Sequence, residues 1–152
     1  MKSRKEVHVD LQELCTAYSH YSADSRYYLD LETGEVIYVS EFMDEDLTGE
    51  LKGRIEEGYG ERIISITCES SAEGYRDMED FIVTVEDERV REKLIVAVNG
   101  RGAFKRFKDV LLDYPESRDR WFRFKEGRVL DRVMEWLESE GIDVSGAKES
   151  SN

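Results

Sequence analysis

Tyr27-Tyr28-Leu29-Asp30-Leu31, then Glu32-Thr33-Gly34, then Glu35-Val36-Ile37-Tyr38-Val39 is a pair of β-prone runs separated by a reversal. Aromatic and β-branched side chains suit the pleated surface of a strand, and glycine supplies the positive φ that a tight reversal needs, so this stretch predicts a β-hairpin. Downstream, Arg62-Ile-Ile-Ser-Ile-Thr67 predicts a third strand, enough for a minimal sheet. Upstream, Asp10 and Glu13 have capping spacing, and Leu11, Leu14, Cys15 and Tyr18 recur at helical intervals, predicting a helix over about 11–22. The acidic, glycine-punctuated stretch 41–60 holds a short helix at about 46–57.

Past residue 70 the apolar period changes from that of a strand to that of a helix. Ser70 and Glu73 form a capping-box pattern ahead of Tyr75, Met78, Phe81, Ile82 and Val85. Val90, Leu94, Ile95 and Val98 mark the next helix, which Asn99-Gly100 stops, and Phe104, Phe107, Val110 and Leu111 mark another, which Pro115 prevents from continuing. A short element then holds Trp121, Phe122 and Phe124. A last helix at about 126–140 presents Val129, Leu130, Val133, Trp136 and Leu137 before Gly141. The expected fold class is therefore α+β, with a small N-terminal antiparallel sheet packed against a C-terminal helical group. No linker divides it, so residues 1–142 are expected to form a single domain and 143–152 a flexible tail.

At 152 residues with 39% hydrophobic side chains, the chain has enough apolar material for a core, which excludes global disorder. No apolar run approaches the roughly 20 residues that span a bilayer, and no apolar block follows the basic start Met1-Lys-Ser-Arg-Lys-Glu6, so a cytoplasmic location is expected. The net charge of −13 is unevenly distributed. Residues 1–88 carry 8 basic and 23 acidic side chains, whereas residues 89–134 carry 13 basic and 7 acidic. Such asymmetry bears on association rather than fold, although internal ion pairing between the two regions is the plainer reading.

Catalytic patterns are missing. The two cysteines and two histidines fall in no zinc-ligand spacing, and Cys15 and Cys68 read as buried reduced thiols. His8 and His20 flank the first helix as surface or capping residues, and no nucleophile elbow accompanies them. Asp44-Glu45-Asp46 and Glu86-Asp87-Glu88 are hard-oxygen clusters able in principle to hold magnesium, but among 35 acidic residues a solvated face explains them better. No cofactor or metal is implied, and an enzyme is the less favoured reading.

Two features suggest binding. Gly100-Arg101-Gly102 opens a helix starting Ala103-Phe104-Lys105-Arg106, where helix-start amides and cations suit an anion; the stretch is not a Walker loop, and a helix stop alone explains its glycines. Arg118, Arg120, Trp121, Phe122, Arg123, Phe124, Lys125 and Arg128 interleave cations with aromatics, a combination that can neutralise phosphates and stack bases. Against this, −13 overall repels a polyanion, and aromatics at such spacing are commonly core. The helices at 86–98 and 103–112 also offer a helix-turn-helix, though with a short and half-aromatic second helix. The candidate surface for an anion or nucleic acid is Arg101, Lys105, Arg106, Arg120, Trp121 and Arg123.

The hairpin Leu29 to Val36, the segment Glu73 to Phe81, the stretch Gly100 to Asp109, and Arg120 to Phe124 with Glu135-Trp-Leu137 together resemble a family of small bacterial proteins, the uncharacterised protein family 0158, over about residues 8–142. The resemblance implies a stand-alone single domain and brings no catalytic residue with it. Charge segregation without catalytic motifs points to a non-enzymatic interaction or regulatory protein whose charged surfaces dock a protein partner. Nucleic-acid binding through the basic aromatic segment 101–128 is the alternative. A third reading is an enzyme or binder of a phosphorylated small molecule at the Gly100–Lys105 turn. That order of preference rests on the cations of 89–134 gathering on an accessible face apart from the upstream carboxylates, while the third reading needs a pocket at the Gly100–Lys105 turn with carboxylates converging on it.

Overall fold

A computed structural model describes residues 5–6, 8–20 and 24–143. The expected tail falls outside the described residues from 144 onward. Eleven elements follow one another: β1 (Lys5–Glu6), α1 (Leu11–Ser19), β2 (Ser25–Asp30), β3 (Val36–Ser40), α2 (Glu45–Gly58), β4 (Ile63–Ser65), α3 (Ser71–Thr84), α4 (Glu88–Ala97), α5 (Ala103–Leu112), α6 (Pro115–Ser139) and β5 (Ile142–Asp143). The fold is α+β. The chain divides into two compact units, one of residues 1–69 with 129–152 and one of residues 70–128.

In the first unit, β2 and β3 form the expected hairpin, and the antiparallel sheet has the order β3-β2-β4. Period-2 alternation gives it two buried faces. Tyr27, Leu29, Val36 and Ile64 belong to a core with Leu14 and Tyr18 of α1 and Val133 and Leu137 of α6. Tyr28, Ile37, Val39 and Ile63 face Leu51 and Ile55 of α2 instead. A second, two-stranded pairing joins β1 to β5 in parallel, which no local pattern at residues 5–6 announces.

Asp30 organises the hairpin turn. Its Oδ1 accepts from the amides of Glu32 and Thr33, an Asx-type turn, while its Oδ2 accepts from Arg54 of α2 at 2.7 Å. Arg54 also donates to Glu35 at 2.8 Å, so one guanidinium bridges both sides of the turn. Burial by itself raises the pKa of Asp30, but the Arg54 hydrogen bond and the two amides outweigh it and hold the carboxyl below its usual range. Gly34 completes the reversal with φ +79°, and a Cβ there would lie 1.7 Å from the carbonyl oxygen of His8. Glycine is thus required both by conformation and by close approach.

In the second unit, α3, α4 and α5 with the first half of α6 enclose a core of Met78, Phe81, Val90, Leu94, Phe107, Leu111 and Trp121. Ser70 and Glu73 make the reciprocal capping box that the sequence predicts, and Asp87, read from sequence only as part of an acidic cluster, caps α4 by accepting from the amides of Arg89 and Val90. One expectation is corrected. Trp121 and Val129 do not lie on separate elements, because a single 25-residue helix begins at Pro115. Proline ends α5 and starts α6, since its fixed φ and missing N–H are tolerated in a first turn, and exposed Gly127 costs too little to break so long a helix.

Gly34→Ala is expected to cost about 3 kcal/mol or more, whereas Gly60→Ala, at φ +87° with nothing near its Cβ position, should cost only about 1 kcal/mol; urea unfolding of both variants checks the contrast. Because the folded carboxyl of Asp30 is more acidic than the unfolded one, its stabilisation is complete above the ordinary carboxylate range and is lost as pH falls from about 4 through the lowered value. Asp30→Asn should therefore be less stable at neutral pH and show a flatter stability profile below pH about 4, measured by denaturant midpoints across the acid range.

Candidate functional site

The predicted cations do not form one continuous plaque. Lys125 on α6 reaches Asp77 of α3 at 2.7 Å, and Arg128 reaches Asp77 at 3.2 Å and Asp80 at 2.6 Å. Asp77 is fully buried. A carboxylate removed from water needs such partners, so these two cations are structural. Arg132 pairs in the same manner with Glu69 at 3.1 Å. Arg120 donates to the carbonyl of Thr84, the last residue of α3, at 3.1 Å, satisfying an orphan acceptor at a helix end. Arg106 likewise donates to the carbonyl of Asn99 beyond α4.

Trp121 is 7% exposed and lies edge-on to Phe81 and Phe107, with centroids at 5.4 and 4.8 Å. Both faces of a stacking platform must be reachable, so this indole is a core residue and not a base-stacking one. Arg101 is exposed in the α4–α5 turn, and Lys105 makes only an exposed i,i+4 pair with Asp109 at 3.5 Å. Arg120 and Arg123 line a shallow depression of about 350 Å³ with Phe81, Thr84 and Phe124. Among the proposed six residues, Arg101, Lys105 and Arg106 thus share the start of α5, while Arg120 and Arg123 belong to a separate depression on α6.

A larger feature lies between α4 and α5. An open groove of about 590 Å³ is lined by Val96, Ala97 and Val110 and flanked by Arg89, Lys93, Arg106, Glu92 and Asp109. Val96 is 70% exposed. Lys93 stands 5.4 Å above the ring of Tyr114, and Arg89 forms no ion pair among the described residues. Arg89 and Lys93 escape motif reading because they sit in an ordinary charged helix. Their i,i+4 spacing, continuing to Val96 and Ala97, is the signal that places them beside one apolar strip.

The model of the Uncharacterised protein family (UPF0158) matches residues 4–150. The chain belongs to this family. A UPF0158 protein of Pseudomonas aeruginosa is 33% identical over 135 residues, covering 88% of this chain and 84% of the relative. UPF0158 proteins of Chlamydia pneumoniae and Chlamydia trachomatis are 26% identical over 125 residues, or 82% of this chain, which spans 38% of their length. No solved structure gives a significant match. The segments that carry the UPF0158 resemblance fall on the β2–β3 hairpin, α3, the α4–α5 turn with α5, and α6. The α3 and α6 segments hold Asp77 and Trp121, so part of the shared pattern is core and ion-pair chemistry.

The other chemical candidates have local roles. Asp44 and Asp87, central to the acidic clusters, cap α2 and α4. Among the described residues no group of three or more His, Cys, Asp and Glu side chains is arranged to hold a metal ion. Neither cysteine forms a disulfide; burial raises the Cys68 thiol against a smaller opposing effect of Arg26, and its Sγ donates toward the carbonyls of Ala17 and His20 at 3.8 and 3.9 Å. A thiol held protonated is a poor nucleophile. Among the described residues no helix is long and apolar enough to cross a membrane.

Removing the buried carboxylate with Asp77→Ala leaves two cations facing a core boundary and should lower stability by about 3 to 5 kcal/mol. Lys105→Ala, which breaks a solvated pair, should change it by less than about 0.5 kcal/mol. Denaturant titration of the two variants against the parent measures the difference.

Proposed function

We propose that this UPF0158 protein is a cytoplasmic, non-enzymatic interaction protein, and that the α4–α5 groove docks an acidic, apolar-faced helical segment of a protein partner. The groove carries this reading: an apolar strip in which Val96 is exposed, flanked by Arg89, Lys93 and Arg106 against Glu92 and Asp109, keeps a net positive charge that matches a helix with apolar residues on one side and carboxylates on the other. Each groove helix has ten residues, about 15 Å in length, room for nearly three turns of a partner helix. Two thiols outside any disulfide suit a reducing compartment.

Nucleic-acid binding is less well supported because Trp121 is buried and Lys125 and Arg128 already neutralise carboxylates, which leaves Phe122 as the exposed ring of that run. A phosphorylated ligand at the Gly100–Lys105 turn has less again to hold it. Arg106 is directed to Asn99, and Lys105 pairs with Asp109. Fluorescence anisotropy separates the readings with a labelled helical peptide bearing leucines on one face and glutamates on the other, a lysine-for-glutamate control peptide, and a labelled single-stranded RNA. The acidic peptide is expected to bind, to weaken as salt rises, and to lose about tenfold in affinity in the Arg89→Glu, Lys93→Glu double variant. Binding of RNA in preference to the acidic peptide, or an unchanged affinity in the variant, would overturn the proposal.

A further inference from the structure

The sheet β3-β2-β4 has two edges, and they are finished differently. In the β2–β3 ladder, the amide of Asp30 donates to the carbonyl of Glu35 and that of Glu41 to the carbonyl of Asp24, both at 2.9 Å. These two bonds fix the phase of the register. Ile37 and Val39 exchange hydrogen bonds with β2, while Val36, Tyr38 and Ser40 direct their amides and carbonyls away from it. Ser40 is closed locally, since its amide meets Met43 Sδ and its carbonyl accepts from the Met43 amide, each at 3.2 Å. His8 approaches the turn at Gly34, but neither Val36 nor Tyr38 has an outward backbone bond among the described residues. The β4 edge differs, because the carbonyl of Ile63 accepts from Gly60 at 3.0 Å and Tyr59 bridges alongside it.

Open edges are commonly blunted by a lysine, a proline or a bulge. β3 reads Val36-Ile37-Tyr38-Val39-Ser40, with no charge and no proline, and its register against β2 runs unbroken. Tyr38 is 40% exposed with its ring 5.0 Å from that of Tyr27, and Phe42 just past the strand is 83% exposed. Such an edge accepts an added strand, main-chain bonds supplying affinity and alternate side chains specificity. Charge selects among strands. From Asp30 to Leu51 the chain carries eight acidic side chains and no lysine or arginine. Arg54 holds Asp30 and Glu35, whereas Glu32 in the turn and Glu41 after β3 form no ion pair among the described residues. Arg26 and Lys52 line the α2 side of the sheet, the face opposite to Tyr38. A second copy would set one acidic unit against another, since the net charge of −13 lies in residues 1–69 with 129–152. We propose that the β3 edge takes up an extended segment of a protein partner, uncharged and β-branched or aromatic at its centre with lysine or arginine at its ends, which adds a strand beside Val36 and Tyr38. This site lies in the first unit, is separate from the α4–α5 groove, and selects the opposite charge.

Fluorescence anisotropy of the full chain tests the proposal with a labelled peptide of alternating valine and threonine that ends in lysine on both sides. Its controls are the same peptide with glutamate ends and the same peptide with its central amides N-methylated. The lysine-ended peptide should bind and weaken as salt rises, and each control should lose about tenfold or more in affinity. In amide hydrogen exchange read by NMR, that peptide should slow Val36 and Tyr38, while Ile37 and Val39, already bonded in the ladder, should change little. Tyr38→Pro removes an outward amide without breaking a ladder bond and should cost about tenfold in affinity. Should that variant fail to fold, Glu41→Lys on the exposed end of the strand should weaken binding and flatten its salt dependence. The proposal is overturned if the lysine-ended peptide does not bind, if either control binds equally, if the Val36 and Tyr38 amides are not slowed, or if both variants bind as the parent does. Sedimentation showing a dimer that Tyr38→Pro disperses would also overturn it, by assigning the edge to a second copy.

Discussion

A carboxylate with no access to water sits at the centre of the helical unit. Asp77 is fully buried, and the ammonium of Lys125 and the guanidinium of Arg128 help make that tolerable. Since both cations come from α6 and the acid comes from α3, the pair fixes which faces of the two helices meet. The aromatic cluster of Phe81, Trp121 and Phe124 follows from that register, because each ring lies within one helical turn of an ion-paired residue. Arg128 also stands 5.4 Å from the ring of Phe124, so the polar and aromatic parts of this interface support each other.

This arrangement reshapes the electrostatics relevant to function. The second unit holds 13 basic and 13 acidic residues and is neutral overall, and the whole net charge of −13 lies in the first unit. Several cations of the basic stretch are held inside ion pairs or at helix ends, and Arg89, Lys93, Arg101 and Arg123 are among those without a carboxylate partner among the described residues. Arg89 and Lys93 stand beside apolar side chains, and the Tyr114 ring under Lys93 is partly buried. That combination favours a protein segment over a nucleic acid, since base stacking requires an open ring face while an amphipathic helix requires an apolar strip with charged edges.

The first unit uses a similar device at smaller scale. Arg54 reaches from α2 to Asp30 and Glu35 on either side of the hairpin turn, joining the helix to the strands that it covers. Next to this well-satisfied network, the hydroxyls of Ser25 and Thr48 stand out. A fold that satisfies the turn of its hairpin so fully leaves two buried hydroxyls without a partner at the opposite end of the same strand and on the covering helix.

Local chemistry was readable without coordinates wherever the cause is local. Alternation and Gly34 specify the hairpin, Asp10 and Ser70 specify helix starts, and Pro115 marks the break between α5 and α6. These signals act over a few residues, through sterics and short hydrogen bonds, and so survive in one dimension. The pairing of β1 with β5, the burial of Trp121, the fate of Lys125 and Arg128 and the α4–α5 groove all depend on residues far apart in the chain. A cation in a basic run has the same one-dimensional appearance whether it faces water or a buried carboxylate 48 positions away; only packing brings the carboxylate to it, and with that decides which charges remain for a partner.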